Sequence, residues 1–310
     1  MGSVAGALVK AGKLPEARAL VEDLRAKKDS FSIGTVLRRY GRSLSEIGSV
    51  ESAMAIANEL DKSQKAEMLQ PLVEQLSNSG KLDEAISTLE KIPYSEYPDY
   101  RARAVGFLAG KLAKANRPEE AVKLVQAHRQ ISGRNDKDWA STVIYEIAPY
   151  AAWAGASTLT VTILQQAPEP KDQPPFFRAT HLTYVANALA IAGLDAEGAK
   201  ALDEARKIAA QIPRDEVGDK QKPQYVEGQA MLARVMAQLH RYREAQNMAD
   251  SLVSTISAKQ DDILLPRYRA WARAWQLYTY SIILLENAKQ TNPQLAGQLR
   301  PDYWWFPDVP

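Results

Sequence analysis

The chain has 310 residues, of which 45% are apolar and 25% are charged, with a formal net charge of +2. These proportions are typical of a soluble globular protein, and so small a charge argues against a protein that grips nucleic acid over a long tract. Because it has no cysteine, the chain has no disulfide, no thiol nucleophile and no thiolate metal site, which is compatible with either the cytoplasm or the periplasm. No stretch approaches the uninterrupted apolar length of a membrane span, so we expect no membrane insertion.

From residue 12 onwards, a turn residue followed five positions later by a small residue recurs along the chain. The pairs are Gly12/Ala17, Gly48/Ala53, Gly80/Ala85, Asn116/Ala121, Gly155/Thr160, Gly193/Gly198 and His240/Ala245. A helix that ends in the left-handed conformation favours Gly, then Asn, and tolerates His, which are the residue types seen at the first position. A small residue at the second position lets two antiparallel helices approach closely. Each pair therefore predicts one helix hairpin.

The spacing of these pairs predicts how the hairpins are arranged. Successive second members lie 36, 32, 36, 39, 38 and 47 residues apart, a period in which one repeat is a helix, a turn and a second helix. We predict an all-α protein, a right-handed α-solenoid of about seven antiparallel helix hairpins plus a C-terminal capping helix and an aromatic tail. The hairpins are expected at about 4–30, 31–63, 64–95, 99–131, 138–167, 176–212 and 223–258, in one continuous domain with 259–310 as the cap and tail. An irregular helical bundle is the alternative.

The repeats resemble tetratricopeptide repeats (TPR). That family places a small residue in the middle of the first helix, Gly near the turn and Ala early in the second helix. Seven positions before each turn residue stand Ala5, Gly41, Val73, Ala109, Ala148, Ala186 and Ala233, of which six are small. The resemblance covers roughly residues 4 to 258. Because the usual aromatic residue at the start of the first helix is missing and the period is uneven, we describe the repeats as TPR-like.

The two ends of the chain carry separate expectations. The first helix would begin about two residues before Met1 and lacks a polar cap, so we expect a fragment of a longer protein, with a natural start as the alternative. Residues 264–288 are expected to form one long helix that is rich in aromatic residues. The tail, residues 300–310, is too rich in proline for a helix and too aromatic to remain in water. We expect it to fold back as a cap, with docking onto a partner or another copy of the chain as the alternative.

The sequence offers little for catalysis. The three histidines, His128, His181 and His240, lie in different repeats and lack the spacing of metal ligands. No glycine-rich phosphate loop, Gly-x-Ser-x-Gly elbow or kinase motif is present. We therefore expect no enzyme activity, no cofactor and no metal.

The first helix of each hairpin is the predicted source of binding residues. In proteins that look like this one, side chains of these helices line a concave surface, at fixed offsets before the turn residue. Those offsets give the candidate partner-binding residues Arg38, Arg39, Arg42, Arg103, Phe107, Lys114, Tyr145, Trp153, Tyr184, Asn187 and Arg234. The cations suit carboxylates or phosphates, and the aromatic rings offer flat apolar area. The alternative for each arginine is a solvated face or a neighbouring glutamate, and for the aromatic residues it is the inter-repeat core.

These features favour a non-catalytic protein-protein interaction scaffold. It would bind a protein or peptide segment, acidic ones included, on the concave face. The alternative is a sensor or autoinhibitory repeat segment of a larger signalling or transcription-regulatory protein. RNA reading by pentatricopeptide-like repeats needs a regular period and a basic groove in every repeat, and the third repeat here is acidic.

Overall fold

Every regular element in the part of the chain that the structure describes is a helix. The structure is a computed structural model, and it describes residues 2–26, 30–92, 98–133, 135–213, 224–257 and 265–292. The all-α prediction is thereby confirmed for these residues. Contacts group the chain into two units, the first made of residues 1–142 and 154–156, the second of residues 143–153 and 157–310.

The first unit is built from pairs of helices. In its described residues the helices are α1 (Gly2–Lys10), α2 (Leu14–Ala26), α3 (Ser30–Glu46), α4 (Val50–Ala57), α5 (Lys62–Asn78), α6 (Leu82–Glu90), α7 (Pro98–Lys114), α8 (Pro118–Ser132) and α9 (Asp136–Thr142). Helices α1 and α2, α3 and α4, α5 and α6, and α7 and α8 pack as antiparallel hairpins, because only a short turn joins each pair. The first helices also pack side by side, α1 on α3, α3 on α5 and α5 on α7.

The second unit repeats this pattern. Its described elements are a π-helical turn (Val143–Ile147), α10 (Ala148–Trp153), α11 (Ser157–Leu164), α12 (Pro175–Ile191), α13 (Asp195–Ala209), α14 (Gln224–Gln238), α15 (Tyr242–Ser257) and α16 (Leu265–Thr291). Helices α10 and α11, α12 and α13, and α14 and α15 form the hairpins. The first helices again lie side by side, since α10 packs on α12, α12 on α14 and α14 on α16.

The seven turn residues that the sequence singled out all have left-handed backbone. Values of φ run from 60° to 85° at Gly12, Gly48, Gly80, Asn116, Gly155, Gly193 and His240. After Gly80, the amide of Lys81 donates a hydrogen bond of 2.9 Å to the carbonyl oxygen of Leu76, which satisfies an otherwise unpaired carbonyl at the helix end. The same bond closes the turns at Gly12, Gly48, Asn116, Gly193 and His240.

The small residues that follow these turns are buried at close helix contacts. Ala17, Ala53, Ala85, Ala121, Thr160 and Ala245 are all 0% exposed. At Gly198 an added Cβ would lie 3.1 Å from Leu239 Cδ2 and 3.3 Å from the carbonyl oxygen of Ala186. The hairpins therefore pack so closely that these positions admit only small side chains.

The fifth hairpin is less regular than the others. Three short elements, α9, the π-helical turn and α10, precede the turn at Gly155 in the chain. Pro149, just inside α10, has no amide hydrogen to donate to the carbonyl of Tyr145, and its ring crowds that carbonyl. The wider π-helical turn lies where that hydrogen bond is missing.

The structure describes the predicted C-terminal helix but not the predicted aromatic tail. The expected long helix is confirmed, because α16 spans Leu265–Thr291. The aromatic tail, residues 300–310, lies outside the described residues.

Two glycine substitutions should have opposite effects on stability. Gly80 has φ +75° and open space around it, so Gly80→Ala should lower the free energy of unfolding by about 1 kcal/mol through backbone strain alone. Gly34 lies inside α3, and a Cβ there makes only an ordinary contact with Gln64, so Gly34→Ala should raise it by about 0.5 kcal/mol. Urea unfolding followed by circular dichroism measures both changes. An unchanged or increased free energy of unfolding in Gly80→Ala would contradict the assignment of a left-handed turn there.

Candidate functional site

The predicted partner-binding residues divide between the two units. Arg38, Arg39 and Arg42 lie on α3, and Arg103, Phe107 and Lys114 lie on α7 of the first unit. In the second unit, Tyr145 lies on the π-helical turn, Trp153 on α10, Tyr184 and Asn187 on α12, and Arg234 on α14. All of these belong to the first helices of hairpins. Because those helices pack side by side, the residues of each unit share one helix layer.

Two of the three arginines on α3 are held in an ion-pair network. Arg38 Nη1 lies 2.5 Å from Glu67 Oε2, and Arg42 Nη1 lies 3.4 Å from Glu67 Oε1. Arg42 Nε also contacts Glu46 Oε1 at 3.2 Å, and Lys10 Nζ contacts Glu46 Oε2 at 2.8 Å. The carboxylates of Glu67 and Glu46 therefore already pair with Arg38 and Arg42, two of the three arginines on α3 that the sequence analysis expected to bind a partner.

This ion-pair network changes the pKa of Glu46, the last residue of α3. Burial by itself raises the pKa of Glu46, but hydrogen bonds and charges from Lys10 and Arg42 outweigh burial. The pKa of Glu46 therefore lies below its ordinary value. The ionised carboxylate of Glu46 therefore stabilises the fold through its contacts with Lys10 and Arg42.

Arg39 differs from its two neighbours on α3. It is exposed, its guanidinium donates a hydrogen bond to the hydroxyl of Ser3, and it forms no ion pair with a residue that the structure describes. Among the three predicted arginines, Arg39 therefore offers the most available charge for a partner.

Helix α7 carries a stripe of aromatic and basic residues on one face. Tyr100, Arg103, Phe107, Lys111 and Lys114 follow one another at intervals of three or four residues, which places them on the same side of the helix. The Arg103 guanidinium lies 5.7 Å from the centre of the Tyr100 ring, and Lys111 Nζ lies 5.1 Å from the centre of the Phe107 ring. Phe107 is only 2% exposed, so its ring packs beneath the ammonium group of Lys111 and is not accessible to a partner.

Lys111 is a candidate site residue that the sequence analysis missed. Partial burial and the neighbouring charge of Lys114 lower the pKa of Lys111, which shows two cations held near each other. Neither lysine forms an ion pair within the described part of the chain, and Lys114 is exposed. The sequence signal that could have identified Lys111 is its four-residue spacing from Phe107, because residues four apart lie on the same side of a helix.

The second unit places its predicted residues in a closed polar and aromatic cluster. The rings of Tyr145 and Tyr184 meet edge to face, with centres 4.4 Å apart. The guanidinium of Arg234 lies 5.6 Å from the centre of the Tyr184 ring, and Arg234 is hydrogen-bonded to Tyr278 of α16. Burial raises the pKa of Tyr184 to about 12, so its hydroxyl stays protonated at neutral pH.

Asn187 belongs to the interior of the same unit. It is 4% exposed, and its Oδ1 has no hydrogen-bond partner among the described residues. Both side-chain amide atoms of Gln238, on the next first helix, α14, are likewise buried without a described partner. Such groups are uncommon, because an unpaired buried polar atom costs about 1–3 kcal/mol.

Burial changes the role of four predicted residues. Phe107, Tyr184, Asn187 and Arg234 are between 2% and 9% exposed, because neighbouring first helices close over them. Trp153 is half-buried against Tyr150, with ring centres 6.0 Å apart. The prediction that Phe107, Tyr184, Asn187 and Arg234 line an open groove is therefore wrong, because these four side chains are buried between helices. Trp153 remains partly exposed.

Two further properties apply to the described residues only. No group of three or more histidine, aspartate or glutamate side chains there is arranged to hold a metal ion. None of the helices described combines the length and apolar character that a membrane span requires.

No protein-family model matches the chain, and no curated protein matches it.

The Glu46 network should make the fold sensitive to acid. The pKa of Glu46 is lower in the fold than in the unfolded chain, so its stabilisation is present above the ordinary pKa of 4.5 and is lost as the pH falls through the folded value. At neutral pH, Glu46→Gln should lower the free energy of unfolding by about 0.5–1 kcal/mol, since the pair is partly exposed. Urea unfolding at several pH values should show this difference vanishing in acid.

A matched control for Glu46 lies outside the helices. Asp172 is exposed in the loop between α11 and α12 and forms no ion pair within the described residues, so Asp172→Asn should leave the stability unchanged at every pH. A pH-independent loss in Glu46→Gln would show that the carboxylate charge is not responsible.

The hydroxyl of Tyr278 should matter because Arg234 is buried. Tyr278→Phe removes a hydrogen-bond partner from a guanidinium that is 2% exposed, so we expect a loss of about 1.5–3 kcal/mol in the free energy of unfolding. In an Arg234→Met background the same substitution should cost far less, because no buried charge is left without its partner. Equal losses in both backgrounds, measured by urea unfolding, would contradict this coupling.

Proposed function

We propose that the chain is a TPR-like, right-handed α-solenoid of about seven hairpins that acts as a non-catalytic scaffold for a protein or peptide segment. The supporting observation is the recurrence, within each unit, of first helices packed side by side behind left-handed turns. A layer of parallel first helices offers a row of side chains from successive hairpins to one extended ligand.

The first unit carries the cations that support an acidic ligand. Arg39 on α3 and Lys111 and Lys114 on α7 form no ion pair within the residues described. A guanidinium binds a carboxylate through two hydrogen bonds, whereas an ammonium acts as a point charge. An acidic peptide segment is therefore the ligand class we propose for this unit.

We propose no catalytic role and no cofactor. His128 is buried beside Trp139, with ring centres 6.2 Å apart, and burial lowers the pKa of His181. His240 occupies a left-handed turn and shares a hydrogen bond with Tyr242. Each histidine thus has a structural environment of its own, in a separate part of the fold.

Peptide selection tests the proposed scaffold. A display library of random dodecapeptides should yield sequences enriched in Asp and Glu on the immobilised chain. The double variant Arg39→Glu/Lys114→Glu should weaken the binding of a selected peptide by at least about tenfold, because two charge-assisted contacts are replaced by repulsion. Isothermal titration calorimetry measures the affinities, and circular dichroism checks that the variant remains folded.

The control reverses a charge elsewhere in the same unit. Lys123 is exposed on α8, a second helix, and Lys123→Glu should reduce the affinity far less than the double variant. Equal effects would indicate a general response to net charge and remove the α3 and α7 surface as the site. Failure to enrich any peptide would count against the scaffold itself.

A further inference from the structure

Two lysines lie side by side at the end of α7. Lys111 and Lys114 both belong to the last turn of this helix, and because they are three residues apart, their side chains leave the same face. Neither lysine forms an ion pair with a residue that the structure describes. Two ammonium groups held this close without a carboxylate between them repel each other, and the repulsion favours the neutral form of an amine.

The surroundings of Lys111 act in the same direction. Lys111 is half-buried, and its Nζ lies 5.1 Å from the centre of the Phe107 ring, which is itself 2% exposed. The ring keeps water away from one side of the ammonium group. Burial first, and then the charge of Lys114, lower the pKa of Lys111 from the ordinary value of 10.5. A larger fraction of Lys111 is therefore the neutral amine, which is the nucleophilic form of lysine.

Lys114 is held in a different way. It is exposed, and its side chain runs against the turn of the fifth hairpin. A Cβ added to Gly155 would lie 3.0 Å from Lys114 Nζ and 3.4 Å from its Cδ, so the turn has room for this side chain because residue 155 is glycine. The lysine pair thus combines a half-buried amine with an exposed cation that a small anion can reach.

This combination suits one class of small molecule. A neutral amine attacks the carbonyl carbon of an aldehyde or a ketone, and a neighbouring ammonium group attracts an anion. A 2-oxo acid carries a carbonyl group and a carboxylate on adjacent carbon atoms. A single small 2-oxo acid can therefore contact both lysines, whereas a neutral ketone gains nothing from the second one.

We propose that Lys111 is a covalent binding site for small 2-oxo acids and that Lys114 holds their carboxylate. The nitrogen of Lys111 attacks the carbonyl carbon, and the proton that this nitrogen loses moves to the carbonyl oxygen, which gives a carbinolamine. The hydroxyl group of the carbinolamine takes up a proton and leaves as water, while the electron pair of the nitrogen forms the C=N bond. The product is a protonated imine, and addition of water reverses the reaction.

The lysine pair lies on the surface that we propose for an acidic segment, but the two proposals are independent. A 2-oxo acid reacts with Lys111 whether or not a peptide binds to the first unit. Once bound, it adds a carboxylate to this surface and opposes the binding of an acidic peptide, because like charges repel.

Reductive trapping tests the site. The whole chain is incubated near neutral pH with pyruvate and sodium cyanoborohydride, which reduces an imine to a stable secondary amine. Peptide mass spectrometry then gives the rate of modification at each lysine. Lys111 should react at least about fivefold faster than Lys123, because an exposed ion pair with Lys114 by itself contributes up to about that factor. Lys123 is the internal control, exposed on α8, and equal rates at the two lysines would overturn the proposal.

A matched probe tests the contact with Lys114. Acetone is pyruvate with a methyl group in place of the carboxylate, so the preference for Lys111 over Lys123 should be smaller with acetone than with pyruvate. Lys114→Gln should reduce the preference with pyruvate to that with acetone. Lys114 is exposed, so the variant should fold normally, which circular dichroism checks. Equal preferences for the two probes in the unchanged chain would overturn the proposal, because the carboxylate would then make no contact.

A second variant separates this inference from the scaffold proposal. Lys111→Arg keeps the positive charge and removes the amine, so it should lose the trapped pyruvate at residue 111 and still bind a selected acidic peptide. Absence of trapping in the unchanged chain leaves the peptide result untouched, and the two failures are therefore distinguishable. A gain of trapped product at Lys114 in this variant, equal to the loss at residue 111, would overturn the assignment of Lys111 as the reacting amine.

Discussion

The left-handed turn with a small residue five positions later is the constraint on which the rest of the structure depends. The turn reverses the chain within a few residues, and the amide after it satisfies a carbonyl at the helix end, as between Lys81 and Leu76. The small residue then lets the second helix lie close against the first, as at Gly198. Both requirements are local, so they recur in hairpin after hairpin although the period varies between 32 and 47 residues.

Close packing of first helices decides which side chains remain available to a partner. Positions of similar offset are half-buried on α3 yet fully buried on α12 and α14, where Asn187 and Arg234 are 4% and 2% exposed. On α3 the acidic residues Glu46 and Glu67 form ion pairs with Arg42, whereas Arg39 hydrogen-bonds to Ser3 and to neither glutamate. The offset from a turn therefore identifies the helix face, and the neighbouring helix determines what that face exposes.

This difference separates what the sequence could predict from what it could not. The turn residues and the extent of α16 follow from local backbone preferences and apolar periodicity, and both were predicted correctly. The pairing of Arg38 with Glu67 joins residues 29 positions apart, and it depends on the distance between α3 and α5, which the repeat does not specify. The positions of prolines do not predict where a helix is interrupted. Pro71 is accommodated within α5, whereas a π-helical turn precedes Pro149. Lys111 was missed because the offsets were taken from a family pattern.

The buried cluster of the second unit suggests how a repeated array keeps its helices in register. Close contacts at small residues such as Gly198 already restrict how neighbouring helices can pack. Arg234 is more demanding, since a guanidinium that is 2% exposed must reach both the Tyr184 ring on α12 and the Tyr278 hydroxyl on α16. A displacement of one turn, about 5.4 Å, would leave this charge buried without its partners, at a cost of about 3–5 kcal/mol. The polar residues that sequence analysis assigned to ligand binding thus define one alignment of α12, α14 and α16.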